Sequence, residues 1–270
     1  PDLVEGVAGD APGAPVFVYS GQGPQWWAMG RGLYTSAPRF RAMIDACDEI
    51  QRGFGGWNLR EALLADEGAS RLTETAFAQP CIFALQAGLT ELWRALGVTP
   101  AAVVGHSVGE VAAAWASGAL SRDQAVRVIY ERGRVMELSR RGGAMLAVGC
   151  ARDEAEALDC VRDGSLEIAA HNSPRSVVLA GEAARIAEVA ETLGAAGLAC
   201  RRLPVAYAFH SRLMDPCEDA LREALADVTP RAAAIPFHST VTGGRLEGEA
   251  LTADYWWRNI RRPVRFAPAV

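Results

Sequence analysis

The sequence predicts an α/β fold in which a small ferredoxin-like unit is inserted into a larger unit with a mainly parallel sheet. Strand-like and helix-like segments alternate through residues 15–141 and 206–270, which is typical of a parallel sheet covered by helices. Residues 142–205 instead run strand, helix, strand, strand, helix, strand, which is the βαββαβ order. We therefore expect two subdomains with these bounds, preceded by a Gly-, Ala- and Pro-rich linker at residues 1–14.

The larger unit opens with a short apolar strand at 16–19, followed by a Gly-rich turn, and a second apolar run at 101–104 predicts another strand. Apolar residues recur every three or four positions in four stretches, which predicts helices. These stretches cover about 35–51, 77–96, 108–118 and 121–140.

The inserted unit alternates short apolar runs with amphipathic stretches, and the chain then returns to the larger unit. In the inserted unit we expect strands at 144–149, 166–172, 176–181 and 199–205, and helices at 152–162 and 182–196. Beyond it we expect a helix at 211–226 and a strand at 235–239.

Composition excludes several functional classes. A net charge of −5 gives no reason to expect a nucleic-acid partner, and no apolar run is long enough to span a membrane. The six cysteines are scattered without C-x-x-C pairs, so we expect no bound metal and no disulfide framework. Because no signal segment opens the sequence, we expect a cytoplasmic protein.

The most informative motif is Gly105-His106-Ser107-Val108-Gly109-Glu110, a G-x-S-x-G pattern between a predicted strand and a predicted helix. This is the setting of a nucleophile elbow, where the glycines permit a sharp turn and the helix start directs N–H groups at a developing oxyanion. The alternative is a Gly-flanked turn with an ordinary serine.

A serine nucleophile needs a base, and the four histidines are the candidates. His106 precedes the serine, and adjacent side chains at such a turn diverge, so it is a poor base. His171 and His238 fit satisfied structural roles in strands. His210 lies where the inserted unit rejoins the larger one, a place where clefts form, but spacing alone leaves its role open.

Five ordered motifs together make the sequence similar to the malonyl-CoA:acyl-carrier-protein transacylase family, specifically the acyltransferase domains of type I polyketide synthases. They are Gly21-Gln22-Gly23-Pro24-Gln25, the elbow, Glu131-Arg132-Gly133-Arg134, Tyr207-Ala208-Phe209-His210 and Arg258-Asn259-Ile260-Arg261-Arg262-Pro263-Val264. The resemblance covers roughly residues 15–270. It implies an α/β-hydrolase-like larger subdomain with a ferredoxin-like insertion.

The resemblance also implies the catalytic roles. Ser107 would attack the thioester carbonyl of an acyl-CoA, and His210 would remove its proton and later return it. No aspartate matches a third triad member. Instead, a carbonyl near the position matched by Asn259 orients the histidine in this family, so the resemblance assigns Asn259 as the residue that orients His210 and implies a Ser–His dyad.

Three further residues match the family's binding groups. The backbone N–H groups of Gln22 and Val108 would hold the oxyanion of the tetrahedral intermediate. Arg132 matches the arginine that pairs with the free carboxylate of the substrate, for which a guanidinium fork is well shaped. A serine esterase or thioesterase shares the elbow, base and oxyanion hole but needs no such carboxylate clamp, so Arg132 separates these two classes.

Substrate choice is less sharply defined. In this family a His-Ala-Phe-His signature usually accompanies malonyl units and Tyr-Ala-Ser-His accompanies methylmalonyl units, whereas this chain carries both Tyr207 and Phe209. Phe209 should crowd an α-methyl group, and Val108 and the Ala78-Gln79-Pro80 segment also favour malonyl. Methylmalonyl or a broader range of acyl groups stays an alternative, because one methyl group is worth only about 1–3 kcal/mol in a pocket.

The expected partners are malonyl-CoA or a related acyl-CoA, an acyl carrier protein, and the flanking ketosynthase and linker of a longer synthase, with no tightly bound cofactor. The family's closing helix and strand are expected to lie beyond residue 270.

Arginines are candidates to bind the phosphates of coenzyme A and an acidic carrier, although such residues are often only solvated charges. The candidates are Arg140, Arg141, Arg201, Arg202, Arg261 and Arg262.

Overall fold

The computed structural model describes residues 13–139 and 142–270. Most of the predicted linker, and the candidate residues Arg140 and Arg141, lie outside the described residues. No helix in the described ranges is long and apolar enough to cross a membrane.

Strands in the described residues are short, and they are numbered here in chain order. They are β1 Val16–Tyr19, β2 Ala102–Gly105, β3 Gly143–Val148, β4 Leu166–Ser173, β5 Ser176–Glu182, β6 Cys200–Arg202, β7 Phe237–Ser239, β8 Gly244–Leu246 and β9 Val264–Arg265.

The helices surround these strands and include several that are only one or two turns long. They are α1 Arg31–Ser36, α2 Pro38–Arg52, α3 Leu59–Leu64, α4 Thr75–Ala95, α5 Gly109–Ala116, α6 Arg122–Met136, α7 Arg152–Glu156, α8 Asp159–Arg162, α9 Ala183–Ala195, α10 Glu218–Ala224, α11 Ala253–Arg261 and α12 Phe266–Ala269. Single 3₁₀ turns occur at Glu67–Ala69, Glu137–Ser139, Arg212–Cys217 and Gly248–Ala250.

The first sheet has the strand order β1-β2-β7-β8. Strands β1, β2 and β7 are parallel, and β8 is antiparallel to β7. Val103 and Val104 of β2 are buried, as expected for a central strand of a parallel sheet that helices cover on both faces. Tyr19 and Gly105 are register partners, so β1 and β2 end side by side and place the turns that follow them at one edge.

The second sheet has the order β6-β3-β5-β4-β9. Strands β3 to β6 pair antiparallel in the arrangement that a βαββαβ unit adopts, which confirms the predicted fold class. The fifth strand, β9, comes from the C-terminal segment and pairs parallel with β4. Strand β9 lies within residues 206–270, which we predict to belong to the larger subdomain, yet it completes the sheet of the smaller one. The predicted bounds of the two subdomains therefore stay a prediction.

Two predicted elements of the inserted unit differ from the structure. The helix expected at 152–162 is two short helices, α7 and α8, separated by an extended residue, Leu158. The strand expected at 199–205 is limited to Cys200–Arg202, because Pro204 has no N–H group with which to continue the pairing.

The main core lies between the helices of the larger unit and the first sheet. Helix α4 packs on α2 and α6, and most of its side chains, including those of Ile82 and Phe83, are buried. A smaller core, which includes Leu146, Leu179 and Ile186, lies behind the second sheet under α9. Helix α6 starts at a capping box of Ser121 and Gln124, and its buried face carries Arg132 towards the edge where β1 and β2 end.

Candidate active site

The serine lies in a sharp turn between β2 and α5. Ser107 has a φ of 52°, in the left-handed region that non-glycine residues seldom adopt. A Cβ on Gly105 would lie 2.2 Å from the backbone N of Glu110, and a Cβ on Gly109 would lie 2.3 Å from the carbonyl O of Tyr19. Both glycines are therefore needed for the turn to fit against β1 and its own helix.

Ser107 and His210 lie in direct contact, with 2.8 Å between Ser107 Oγ and His210 Nε2. His210 Nδ1 lies 2.8 Å from the carbonyl O of Arg262. A carbonyl only accepts hydrogen bonds, so Nδ1 carries the proton and Nε2 is left with a lone pair facing the serine hydroxyl. The geometry is that of a serine held by a neutral histidine base.

The assignment of Asn259 as the group that orients His210 is wrong. The orienting carbonyl belongs to Arg262, which follows the last residue of α11 in extended conformation. The carbonyls at the end of a helix lack an intrahelical partner, so this one is available for His210. Asn259 lies one turn earlier and contacts Arg132 instead, through its Oδ1 at 3.1 Å from Arg132 Nε.

Burial keeps the imidazole neutral. Desolvation, and to a smaller extent the nearby Arg132 and His106, lower the pKa of His210 from 6.5 to about 3. The ring therefore stays unprotonated at neutral pH and can accept the serine proton.

Arg132 is a buried cation directed at the Ser107 hydroxyl. Its side chain is only 1% exposed, and its Nη2 donates to Ser107 Oγ at 3.1 Å. Its Nη1 donates to Gln79 Oε1 at 2.7 Å. Burial lowers the pKa of Arg132 to about 10, an effect that Glu110 opposes, so the guanidinium is charged at neutral pH.

Glu110 and Asn259 form a polar network beneath Arg132. Asn259 Nδ2 donates to Glu110 Oε2 at 3.1 Å and to the carbonyl O of Ser107 at 3.3 Å. Glu110 also accepts hydrogen bonds from Thr240 and Tyr255. Burial raises the pKa of Glu110, and the hydrogen bonds from its three partners act against that rise.

Sequence reasoning missed Gln79 and Glu110 as parts of the site. In the sequence Gln79 stands only within a segment that favours malonyl, yet it joins the Gln22 side chain to Arg132 through bonds of 3.2 and 2.7 Å. Glu110 is the last residue of the elbow motif, so its position in the motif was an available signal for a role near the nucleophile.

Gln22 and Val108, whose backbone N–H groups are the predicted oxyanion donors, line the same cavity as Ser107. Within the described residues, neither of these N–H groups is engaged in a hydrogen bond. Their role as oxyanion donors stays a prediction.

The catalytic cavity has a volume of about 220 Å³ and lies between the elbow and the second sheet. Its far wall is apolar, with Met145 and Ala147 from β3 and Val178 from β5. Phe209 also lines it, but Tyr207 does not. Tyr207 stacks on the back of Phe209 with 5.0 Å between ring centroids and faces a neighbouring cavity.

That neighbouring cavity, which we call the antechamber, has a volume of about 620 Å³. It shares Gln22, Arg201, Leu203 and Val205 with the catalytic cavity, so the two lie side by side. Arg201 and Arg202 are exposed at its wall, and neither makes an ion pair within residues 13–139 and 142–270. Of the other arginines predicted to bind anions, Arg261 is paired with Glu167 and Asp215, and Arg262 borders a different surface cavity.

The remaining histidines are not at the serine hydroxyl. His106 Nε2 lies 2.8 Å from Asn172 Oδ1 on β4 and thereby links the elbow to the second sheet. His238 Nδ1 bonds the carbonyl O of Ala269 at 3.0 Å. His171 departs from expectation, because its Nδ1 is buried and has no hydrogen-bond partner among the described residues.

Comparison with known proteins gives consistent matches. Residues 16–270 match the family described as acyl transferase domain. Polyketide synthase GfsB from Streptomyces halstedii is 42% identical over 258 residues, which are 95% of this chain and 5% of GfsB, so the chain corresponds to a small part of that relative.

Solved structures agree with this match. The acyltransferase domain from module 8 of the salinomycin polyketide synthase has a TM-score of 0.91 and 36% identity, over 94% of this chain and 60% of that one. The malonyl CoA-acyl carrier protein transacylase (fabD) from Coxiella burnetii has a TM-score of 0.85 and 25% identity, over 94% of this chain and 81% of that one.

Proposed function

This chain belongs to the acyl transferase domain family, and we propose that it transfers a malonyl-type group from coenzyme A to the phosphopantetheine thiol of an acyl carrier protein during polyketide synthesis. The chain is an acyltransferase. We propose the malonyl-type acyl group, coenzyme A as its donor and the carrier thiol as its acceptor.

In the first half-reaction, Ser107 Oγ attacks the thioester carbonyl while His210 Nε2 takes the hydroxyl proton. The tetrahedral oxyanion faces the N–H groups of Gln22 and Val108, and donors of this kind are typically worth about 3–4 kcal/mol each in the barrier. His210 then gives its proton to the departing thiolate of coenzyme A, which leaves an acyl ester on Ser107.

In the second half-reaction, the carrier thiol attacks the same carbonyl carbon. His210 takes the thiol proton and returns it to Ser107 Oγ as the ester bond breaks, so that the free serine is restored. Acyl-CoA enters as a substrate, and neither step needs a tightly bound cofactor.

The observation that carries the proposal is the buried guanidinium of Arg132 at 3.1 Å from Ser107 Oγ. A buried cation is costly unless an anion pairs with it. Within the described residues Arg132 makes no direct ion pair: it donates to the neutral groups of Asn259 and Gln79, and the Glu110 carboxylate favours its charge without touching it. A free carboxylate on the acyl group would supply that anion next to the nucleophile. An esterase for uncharged acyl groups would have no use for such a cation.

The test compares malonyl-CoA with acetyl-CoA, which lacks the free carboxylate. We expect Arg132→Ala to lower the rate of Ser107 acylation by malonyl-CoA at least about tenfold relative to acetyl-CoA, because a hydrogen-bonded ion pair is lost. Intact-mass detection of the acyl-enzyme gives both rates. An unchanged malonyl-to-acetyl ratio would remove the carboxylate clamp from the proposal.

Within malonyl-type groups, we propose that malonyl is preferred over methylmalonyl. Phe209 is 8% exposed and forms part of the catalytic cavity wall, and the stacked ring of Tyr207 holds it in place. An α-methyl group would need space that this ring occupies.

Competition between malonyl-CoA and methylmalonyl-CoA tests this preference. Phe209→Ser should shift the product ratio towards methylmalonyl about tenfold or more, since one methyl group in a pocket is worth about 1–3 kcal/mol. Tyr207→Phe is the matched control, because it keeps the stack and lies outside the catalytic cavity. If Phe209→Ser leaves the ratio as in Tyr207→Phe, relaxed specificity replaces the malonyl proposal.

The relatives are long synthases, and we propose that this chain likewise works beside a ketosynthase and linker. The antechamber offers Arg201 and Arg202 for the phosphates of coenzyme A or of the carrier's phosphopantetheine arm. We place the reaction in the cytoplasm, where the six unpaired thiols of the described residues would stay reduced.

A further inference from the structure

Glu110 is a buried acid that the proposed reaction does not use. It lies in the first turn of α5 and is fully buried. Its Oε1 accepts from the Thr240 N–H group and from the Thr240 hydroxyl at 2.5 Å. Its Oε2 accepts from the Tyr255 hydroxyl and from Asn259 Nδ2 at 3.1 Å.

The Asn259 amide lies among three partners of fixed polarity: Glu110 Oε2 at 3.1 Å and the carbonyl O of Ser107 at 3.3 Å accept from its NH₂ group, and Arg132 Nε donates to its Oδ1. A carboxylate oxygen that already receives the Tyr255 hydroxyl accepts from Asn259, so Asn259 must turn its NH₂ group towards Glu110. Its Oδ1 then faces the other way and accepts from Arg132 Nε at 3.1 Å. Because guanidinium nitrogens only donate, a reversed Asn259 amide would place two donors against each other at Arg132.

The Asn259 bond helps to fix the plane of the guanidinium. Nε is held by Asn259 and Nη1 by Gln79, so Nη2 is the nitrogen left to face Ser107 Oγ. Without the Asn259 acceptor, the guanidinium could rotate about its bond to Cδ and lose this direction.

We propose that Glu110 is a positioning residue for Arg132: its carboxylate fixes the orientation of the Asn259 amide, and that amide aims the guanidinium at the acyl group on Ser107. Glu110 thereby determines how strongly the site prefers acyl groups with a free carboxylate. The inference rests on the proposed role of Arg132 as a carboxylate clamp.

Glu110→Gln tests the proposal with a side chain of the same shape. The NH₂ group of the new glutamine is a donor and would face one of two other donors, the Thr240 backbone N–H or the Asn259 NH₂ group. The backbone N–H cannot turn away, whereas the Asn259 amide can. Asn259 should therefore reverse, which gives up its 3.3 Å bond to the carbonyl O of Ser107 and sets its NH₂ group against Arg132 Nε. Asn259→Leu removes the same acceptor from Arg132 while leaving Glu110 in place.

Tyr255→Phe is the matched control. It removes the other donor to the same oxygen, Oε2, without reversing the Asn259 amide. It should lower the denaturation temperature and leave the ratio of malonyl to acetyl acylation rates unchanged.

The measured quantity is that ratio, taken from intact masses of the acyl-enzyme, with thermal unfolding recorded for every variant. We expect Glu110→Gln and Asn259→Leu each to lower the ratio about tenfold or more, and Glu110→Gln to add nothing to Arg132→Ala. A purely structural role would lower both acylation rates in proportion.

The outcomes separate the two proposals. If Arg132→Ala lowers the ratio and folded Glu110→Gln does not, the positioning role is wrong and the clamp stands. If Arg132→Ala leaves the ratio unchanged, the clamp itself is wrong. If Glu110→Gln does not fold, Asn259→Leu decides the question by the same ratio.

Discussion

Two buried groups of different charge meet at Ser107 Oγ, namely a neutral imidazole and a charged guanidinium. Desolvation favours the neutral form of His210, and Arg132 adds to this by disfavouring a second positive charge nearby. The serine hydroxyl therefore has an acceptor on one side and a donor on the other, at 2.8 and 3.1 Å. A carboxylate bound by Arg132 would offset the charge that His210 gains during proton transfer.

The pKa of His210 predicts the acid limb of the acylation rate. Because the folded-state pKa is about 3 rather than 6.5, the base should stay active as pH falls through 6.5. The rate of Ser107 acylation between about pH 5 and 8 should show no loss with an apparent pKa near 6.5. A return to pH 7 before a second assay controls for inactivation at low pH.

The stability of the fold, unlike the acylation rate, should decrease as pH falls. The unfolded chain binds a proton at His210 below pH 6.5 while the folded chain does not, so this group lowers the free energy of unfolding as pH falls from 6.5 towards 3. An acylation rate that titrates at 6.5 would contradict the neutral buried base.

Ser107, His210 and Arg132 could be found from the sequence because their side chains stand in recognisable motifs. The group that orients His210 could not, since a backbone carbonyl leaves no mark on residue identity. Arg262 was therefore missed and Asn259 was given its role, although Asn259 acts on Arg132.

At the scale of elements, the site depends on how closely β1, β2 and α5 approach one another. His106 N–H donates to the carbonyl O of Tyr19 at 2.8 Å, so the elbow is tied to the end of β1. Gly109 begins α5 at the point where that helix crosses β1. A side chain there would separate the two elements and move the nucleophile.

Gly109→Ala should therefore destabilise the fold and slow acylation. The added Cβ would lie 2.3 Å from the Tyr19 carbonyl O, and overpacking of this kind typically costs about 1–3 kcal/mol in the free energy of unfolding. Denaturant titration and the acylation rate measure the two effects.

Gly32→Ala is the matched control. Gly32 lies in α1 with open space around its Cβ position, and alanine is favoured over glycine in a helix. We expect this variant to be as stable as the parent or more so. Equal stability of both variants would refute the close-approach argument.

Element prediction succeeded where periodicity was long and failed where a single residue interrupted it. Strand β1 was expected at the bounds that it has, and α4 within two residues. Leu158 divides the helix expected at 152–162, and Pro204 stops the strand expected at 199–205. Pairing of the two-residue β9 with β4 is a long-range contact that no local pattern encodes.

Across the molecule, the elbow that follows β2 and the strands of the second sheet line one cavity. The catalytic cavity and the antechamber are neighbours, and Gln22 and Arg201 line both of them. Asn172 on β4 and His106 beside the serine connect the two parts directly. We propose that a phosphopantetheine arm enters from the antechamber, which would bring its thioester to Ser107 and leave its phosphates near Arg201 and Arg202.

Arg201→Ala combined with Arg202→Ala should raise KM for malonyl-CoA severalfold while leaving kcat nearly unchanged. A malonyl thioester of N-acetylcysteamine, which has no phosphate, should show no such change, because only the phosphate contacts are lost. Arg39→Ala is the control, since Arg39 is an exposed arginine on α2 away from both cavities. An equal rise in KM for both acyl donors would exclude the antechamber as a phosphate site. Parallel assays with holo-acyl carrier protein show whether the phosphate of the carrier binds the same arginines.

We propose that Ser107 holds an acyl group away from water until a carrier thiol arrives, and following the acyl-enzyme directly tests this role. The protein is loaded with malonyl-CoA, freed of excess donor, and followed by intact mass with and without holo-acyl carrier protein, with Ser107→Ala as the blank. We predict a malonyl adduct on Ser107 that persists in buffer and is discharged when the carrier is added, with the malonyl group recovered on the carrier. Rapid release of free malonate at a rate that the carrier does not change would contradict the claim and indicate a hydrolase.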